Sequence, residues 1–97
     1  MNDWLEGEHR RLYGELDTLK AGHASGRDNA EWIAETQGKL DACTVLKATP
    51  ITAARIDDAA AYIREKEARD VPKMYADNYH AGADSFFDVC RERLEGR

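Results

Sequence analysis

The segment Tyr75–Cys90 gathers a histidine, a cysteine, three aspartates and four aromatic rings within sixteen positions. His80, Asp84 and Asp88 follow one another at four-residue steps, which stacks them on one face if the segment is helical. Such a stack is how a helix contributes ligands to a transition-metal site. A closed site needs further ligands from a second element, and the other histidines are His9 and His23. His9 falls inside the apolar series of the first helix, so the set stays incomplete and the stripe reads as a solvated polar face. No metal and no cofactor are assigned.

The same face carries a different property. Asp84, Asp88 and Glu92 form a like-charge ladder, extended by Asp77 and Glu95 and relieved only in part by Lys73 and Arg91. Repulsion at this spacing costs a few tenths of a kcal/mol per pair in an isolated helix. A face kept acidic against that cost suits docking on a basic patch of another protein. Asp77, Asp84, Asp88, Glu92 and Glu95, with His80 at the head of the ladder, are therefore the candidate partner-binding residues. Gly7 and Gly14 are a second candidate surface. Opposite the leucines of the first helix, they leave a bare face that another backbone can approach closely. The plainer reading is a tolerated cost of roughly 1 kcal/mol each relative to alanine.

Catalytic chemistry has little to work with. Ser25 and Ser85 are the two serines, and neither lies in a nucleophile-elbow context. There is no glycine-rich phosphate loop, no paired-histidine zinc helix and no calcium-binding loop. Cys43 and Cys90 form no C-x-x-C pair and read as small buried hydrophobes. The expectation is a protein that is not an enzyme. Nucleic-acid binding meets a similar obstacle. A helix-turn-helix can be drawn around Thr49-Pro50, with Arg55, Arg64, Lys66 and Arg69 on its second helix. Asp57, Asp58, Glu65, Glu67 and Asp70 are interleaved with those bases, and the helix start offers one base reader, Arg55.

The elements that position these residues follow from periodicity, which is helical throughout with no convincing strand alternation. Asp3-Trp-Leu-Glu6 reads as a capping box opening a first helix over roughly 3–21, with Leu5, Leu12, Leu16 and Leu19 inward and His9 filling the gap. Ala21–Gly26 reads as a flexible loop. Asp28-Asn-Ala-Glu31 repeats the capping pattern and starts a second helix over 29–47, its inner stripe running through Trp32, Ile33, Thr36, Leu40, Cys43 and Leu46. Thr49 as N-cap and Pro50 at the first helical position start a third helix over 50–69, with Ala53, Ile56, Ala59, Ala60 and Ile63 inward and a charged tail. Val71-Pro72 breaks the chain before a fourth helix over 73–95. Its core face is Tyr75, Tyr79, Ala83, Phe86, Phe87, Cys90 and Leu94, and Gly82 is its weak point. The fold class expected is all-α, an antiparallel up-down bundle of four helices forming a single domain over 1–97.

Composition sets the remaining bounds. Charged residues make up 34% of the chain and the formal net charge is -5, which keeps it soluble and disfavours a broad phosphate-binding surface. No apolar run is long enough to span a bilayer, and the acidic amino terminus is unlike a signal peptide, so the expected location is cytoplasmic. Fifteen alanines face only sixteen Leu, Ile, Val and Phe residues, so the core is thin and a partner or second copy would complete it. The leading expectation is a small module that binds another protein through its acidic face, as an adaptor, regulator or inhibitor of the kind phages and mobile elements also encode. The alternatives are a helix-turn-helix DNA-binding regulator and a homodimeric or larger homo-oligomeric bundle.

Overall fold

The computed structural model describes residues 2–47, 50–65 and 71–96. They form helix α1 (Asn2–Ala24), α2 (Ala30–Leu46), α3 (Ala53–Glu65), a short 3-10 turn (Lys73–Tyr75) and α4 (Ala76–Glu95). The architecture is the all-α, up-down bundle that the periodicity predicts. Leu5 of α1 lies against Cys43 of α2, and Leu19 against Asn29, so these two helices are antiparallel. Arg55 near the start of α3 reaches Val45 near the end of α2, while Asp57 meets Arg91 near the end of α4. The third helix therefore runs against both, which leaves α2 and α4 parallel.

In a square bundle α2 and α4 would occupy a diagonal. Here they pack backbone against backbone, because each presents a glycine to the other. A Cβ at Gly82 would overlap the carbonyl oxygen of Glu35, and one at Gly38 would overlap that of Tyr79 and sit 3.0 Å from the Ala83 nitrogen. Gly82 is thus a packing residue and not the weak point expected. The fourth helix runs through it without a break. The small side chains Ala34, Ala42 and Ala83 are buried as well, consistent with helices drawn close together. α1 and α3 flank this pair without meeting, no Cα of one lying within 8 Å of a Cα of the other among the described residues.

Helix ends depart from the sequence expectation in physically informative ways. α1 continues through the expected loop to Ala24, and the chain turns at Gly26, whose φ is 103°. Gly26 N–H donates to the His23 carbonyl (3.0 Å) and Arg27 N–H to the Gly22 carbonyl (3.1 Å), the paired reverse bonds of a left-handed helix stop. Gly22 is tolerated inside the helix and the real stop is the glycine beyond it. Asp3 lies within the first turn of α1 and not at its cap. There its carboxylate favours the positive end of the helix dipole. At the start of α2, Asn29 makes no side-chain cap; its Nδ2 donates instead to the Leu19 carbonyl at 3.1 Å, tying the helix to α1.

The third helix begins three residues later than expected. Thr52 Oγ1 accepts from the Arg55 backbone N–H at 3.1 Å, so Thr52 supplies the cap expected of Thr49, and Pro50 precedes the helix. Thr49 itself lies outside the described residues, as does the tail beyond Glu65. Arg55 also donates to the Val45 carbonyl at 3.1 Å, bringing positive charge to the end of α2, whose own last turn has no basic residue. The fourth segment opens as a 3-10 turn over Lys73–Tyr75 before becoming α-helical.

The buried residues form one cluster built from all four helices. Ile56, Ala59, Ala60 and Ile63 face inward from α3 as expected, whereas Ala53 is exposed. Tyr79, Ala83, Phe86, Phe87 and Cys90 of α4 are buried, with Tyr75 and Leu94 packed at its ends. Leu19 and His9 are half-buried and not core. Trp32 departs most from the expectation: it is 61% exposed. Helix α2 is surrounded by neighbours, so its buried positions (Ala34, Thr36, Gly38, Leu40, Ala42, Cys43, Leu46) are spread around the helix and a single-stripe reading misassigns its first turn.

Candidate functional site

The acidic residues of α4 sit where the helical spacing puts them. Tyr79, Ala83, Phe86 and Cys90 define the inner face, and Asp77, Asp84, Asp88, Glu92 and Glu95 are all exposed. At 3.6 residues per turn the five carboxylates fall within an arc of about 80° opposite that core face. Asp88 pairs with Arg91 at 3.1 Å, and Arg91 extends to Asp57 of α3, also at 3.1 Å. Asp77, Asp84, Glu92 and Glu95 make no ion pair among the described residues.

Other helices of the same molecule neutralise their surface acids more fully. On α1 a single guanidinium, Arg11, bonds both Glu8 (2.8 Å) and Glu15 (3.0 Å), and on α2 Lys39 meets Glu35 at 3.5 Å. His80 is half-buried at the margin of the ladder, its ring set edge-on to Tyr79 at 5.3 Å. Among the described residues, no three His, Cys, Asp or Glu side chains converge on a point that could hold a metal ion.

Gly7 and Gly14 lie on α1 away from Leu5, Leu12 and Leu16, and a Cβ at either position meets nothing within 4 Å. Their face is bare, but it belongs to a different helix from the acidic ladder. No Cα of α1 comes within 8 Å of one in α4 among the described residues, so the two candidate surfaces do not form one site. What links α1 to α4 is longer side chains. Trp4 stacks on Phe86 with ring centroids 5.8 Å apart, and the Arg93 guanidinium lies 4.3 Å above the Trp4 ring.

Two arrangements escape the sequence. The first is a polar tie across the α2–α4 contact: the Tyr79 hydroxyl donates to Asp41 Oδ2 at 2.5 Å, while Gln37 Nε2 donates to Oδ1 at 2.8 Å. Tyr79 is completely buried, and its hydroxyl meets the carboxylate of the half-buried Asp41. The second is a cleft of about 260 Å³ walled by Ile33 and Ala34 of α2 and by Val71, Pro72 and Tyr75, with Lys20 and His23 of α1 also lining it. Three distant segments build it, so local periodicity carries no trace of it. The one hint in the sequence is Val71, an apolar residue standing between helices.

The thiols are structural. Both are free, and burial pushes Cys43 up to about 11 and Cys90, which also feels neighbouring Cys43, up to about 12. Cys43 Sγ lies 3.3 Å from the Leu5 carbonyl. A buried thiol held protonated in this way is a poor nucleophile. No helix among the described residues is long and apolar enough to cross a membrane. No family model matches the chain, and neither a curated protein nor a solved structure matches it.

Proposed function

We propose that this protein is a non-catalytic binding module that docks the acidic face of α4 onto a basic patch of a larger protein. The observation that carries the reading is the exposed ladder of Asp77, Asp84, Asp88, Glu92 and Glu95, in which only Asp88 has a basic partner among the described residues. Unpaired like charges along a helix repel one another, and an oppositely charged partner surface relieves that repulsion while steering the encounter. The ladder rides on a helix that sends Tyr79, Ala83, Phe86, Phe87 and Cys90 into the core, so the charges are presented on a rigid support. An adaptor, regulator or inhibitor would each use such a face.

The engagement of Arg55 weighs against reading DNA through α3. Its side chain is held on the Val45 carbonyl, and the exposed Asp57 and Asp58 follow it directly. Capture of partners from lysate by the wild-type protein and by an Asp84→Lys/Asp88→Lys variant tests the proposal. A protein recovered by the wild type and lost from the variant supports it. Equal recovery of the same protein by both rejects the acidic face as the docking surface.

A further inference from the structure

Cys43 and Cys90 are the chain's two cysteines, and the fold brings them to one layer of the core. Cys43 Sγ lies 3.3 Å from the Leu5 carbonyl. The neighbouring Trp4 ring stacks on Phe86 with centroids 5.8 Å apart and lies 4.3 Å beneath the Arg93 guanidinium. Phe86 stands one turn before Cys90 and Arg93 one turn after it, so the three share one face of α4. Trp4 and Leu5 therefore join Cys43 to the two residues that flank Cys90. Both cysteines are completely buried there, on two helices already in backbone contact at Gly38 and Gly82. The Cys90 thiol is governed first by burial and next by Cys43, ahead of Arg93 and Arg91 on its own helix.

We propose that Cys43 and Cys90 are a redox-responsive pair, joined as a disulfide that fastens α2 to α4 when the chain meets a small-molecule disulfide, and released by small thiols. In the closed bundle both thiols are protonated and covered, so exchange starts from an opened state in which one ionises. That thiolate attacks a sulfur of the small disulfide and expels one small thiolate, leaving a mixed disulfide. The second cysteine thiolate attacks the protein sulfur of the mixed disulfide and expels the other small thiolate. The two cysteines lose two electrons in all, the small disulfide is reduced to two thiols, and the two cysteine protons end on them. The cross-link closes a loop of about fifty residues and joins helices that pack together in the folded state, so it restricts the unfolded chain far more. The pair lies inside the core and does not depend on the exposed carboxylates of α4.

The test equilibrates the protein with a glutathione redox buffer, from the reduced and the oxidised side, in native buffer and in concentrated urea. After an acid quench, the intramolecular disulfide is quantified as the species two hydrogens lighter and inert to alkylation. Folding should raise the cross-linking equilibrium constant about 100-fold over its value in urea, and the oxidised protein should melt about 10 °C higher than the reduced one. Cys43→Ala and Cys90→Ala should each form only the mixed disulfide and show no such gain. An Asp84→Lys/Asp88→Lys variant should cross-link like the wild type, which keeps this proposal separable from the docking face. A folded constant less than about tenfold above the urea value would overturn it, because the two sulfurs would then not be held facing each other. So would an oxidised protein that melts no higher than the reduced one.

Discussion

Four glycine-to-alanine substitutions, chemically identical and all within helices, are expected to change stability in opposite directions. In an open helix interior alanine is favoured over glycine by roughly 1 kcal/mol. At Gly7 and Gly14 a new Cβ meets nothing within 4 Å, so each substitution should stabilise by about 0.5–1 kcal/mol. At Gly82 the new Cβ overlaps the Glu35 carbonyl oxygen and lies 2.8 Å from its carbon, where ordinary carbon contacts lie at about 3.5–4.0 Å. At Gly38 it overlaps the Tyr79 carbonyl oxygen and lies 2.9 Å from that carbon. Both obstacles are backbone, so no rotamer change absorbs them and α2 must move away from α4. That movement loosens Phe86 and Phe87 and stretches the Tyr79–Asp41 bond. Overpacking of this kind costs about 1–3 kcal/mol, and its upper end applies here, leaving a net loss of about 2 kcal/mol after the propensity gain. Because one separation relieves both clashes, the double variant Gly38→Ala/Gly82→Ala should lose less than the sum of its parts. Urea midpoints with unchanged slopes give the free energies, and each kcal/mol should move the melting temperature by about 4–8 °C. Stabilisation by Gly82→Ala or Gly38→Ala matching that of Gly7→Ala would refute the close α2–α4 contact.

Further outcomes rest on the same packing. Tyr79→Phe removes a hydrogen bond to a carboxylate and should cost about 1.5–3 kcal/mol in urea denaturation, whereas Arg91→Ala, which breaks only exposed pairs, should cost less than about 1 kcal/mol. Both thiols have folded pKa values raised above the ordinary 9.0, so stability is full below pH 9 and falls as the unfolded chain ionises first, up to about pH 11 for Cys43 and about pH 12 for Cys90. Each thiol adds a slope of about 1.4 kcal/mol per pH unit within that window, and a Cys43→Ala/Cys90→Ala variant should lack that slope when denatured at pH 8 and pH 10. In fluorescence quenching by acrylamide, Trp32 should be accessible and Trp4, covered by Phe86 and Arg93, should be protected; single Trp→Phe variants assign the two signals.

The parts of this fold that the sequence makes legible are those where one helix face meets one neighbour. Tyr79, Ala83, Phe86, Phe87 and Cys90 recur at three- and four-residue steps, and that spacing alone separates the core of α4 from its acidic side. The exposure of the ladder is readable for the same reason. Helix α2 defeats that logic because it packs on α1, α3 and α4, so its buried residues follow no single stripe and periodicity misplaces Trp32 inward. Glycine is the other blind spot. Gly7 and Gly14 stand in open space while Gly38 and Gly82 touch backbone, and nothing local in the sequence distinguishes the two pairs. Helix ends shift where a tertiary contact replaces a local cap, as when Asn29 bonds Leu19 instead of its own first turn. The cleft is invisible in the sequence because its walls come from residues some fifty positions apart, such as Lys20 and Val71.

Docking through the α4 face is tested most directly by an amide-shift map of the labelled protein, recorded as the partner captured from lysate is added. Perturbation centred on Asp84, Asp88 and Glu92, reduced by added salt and absent in the Asp84→Lys/Asp88→Lys variant, is the predicted result. Shifts confined to other surfaces while the amides of α4 stay in place would contradict it.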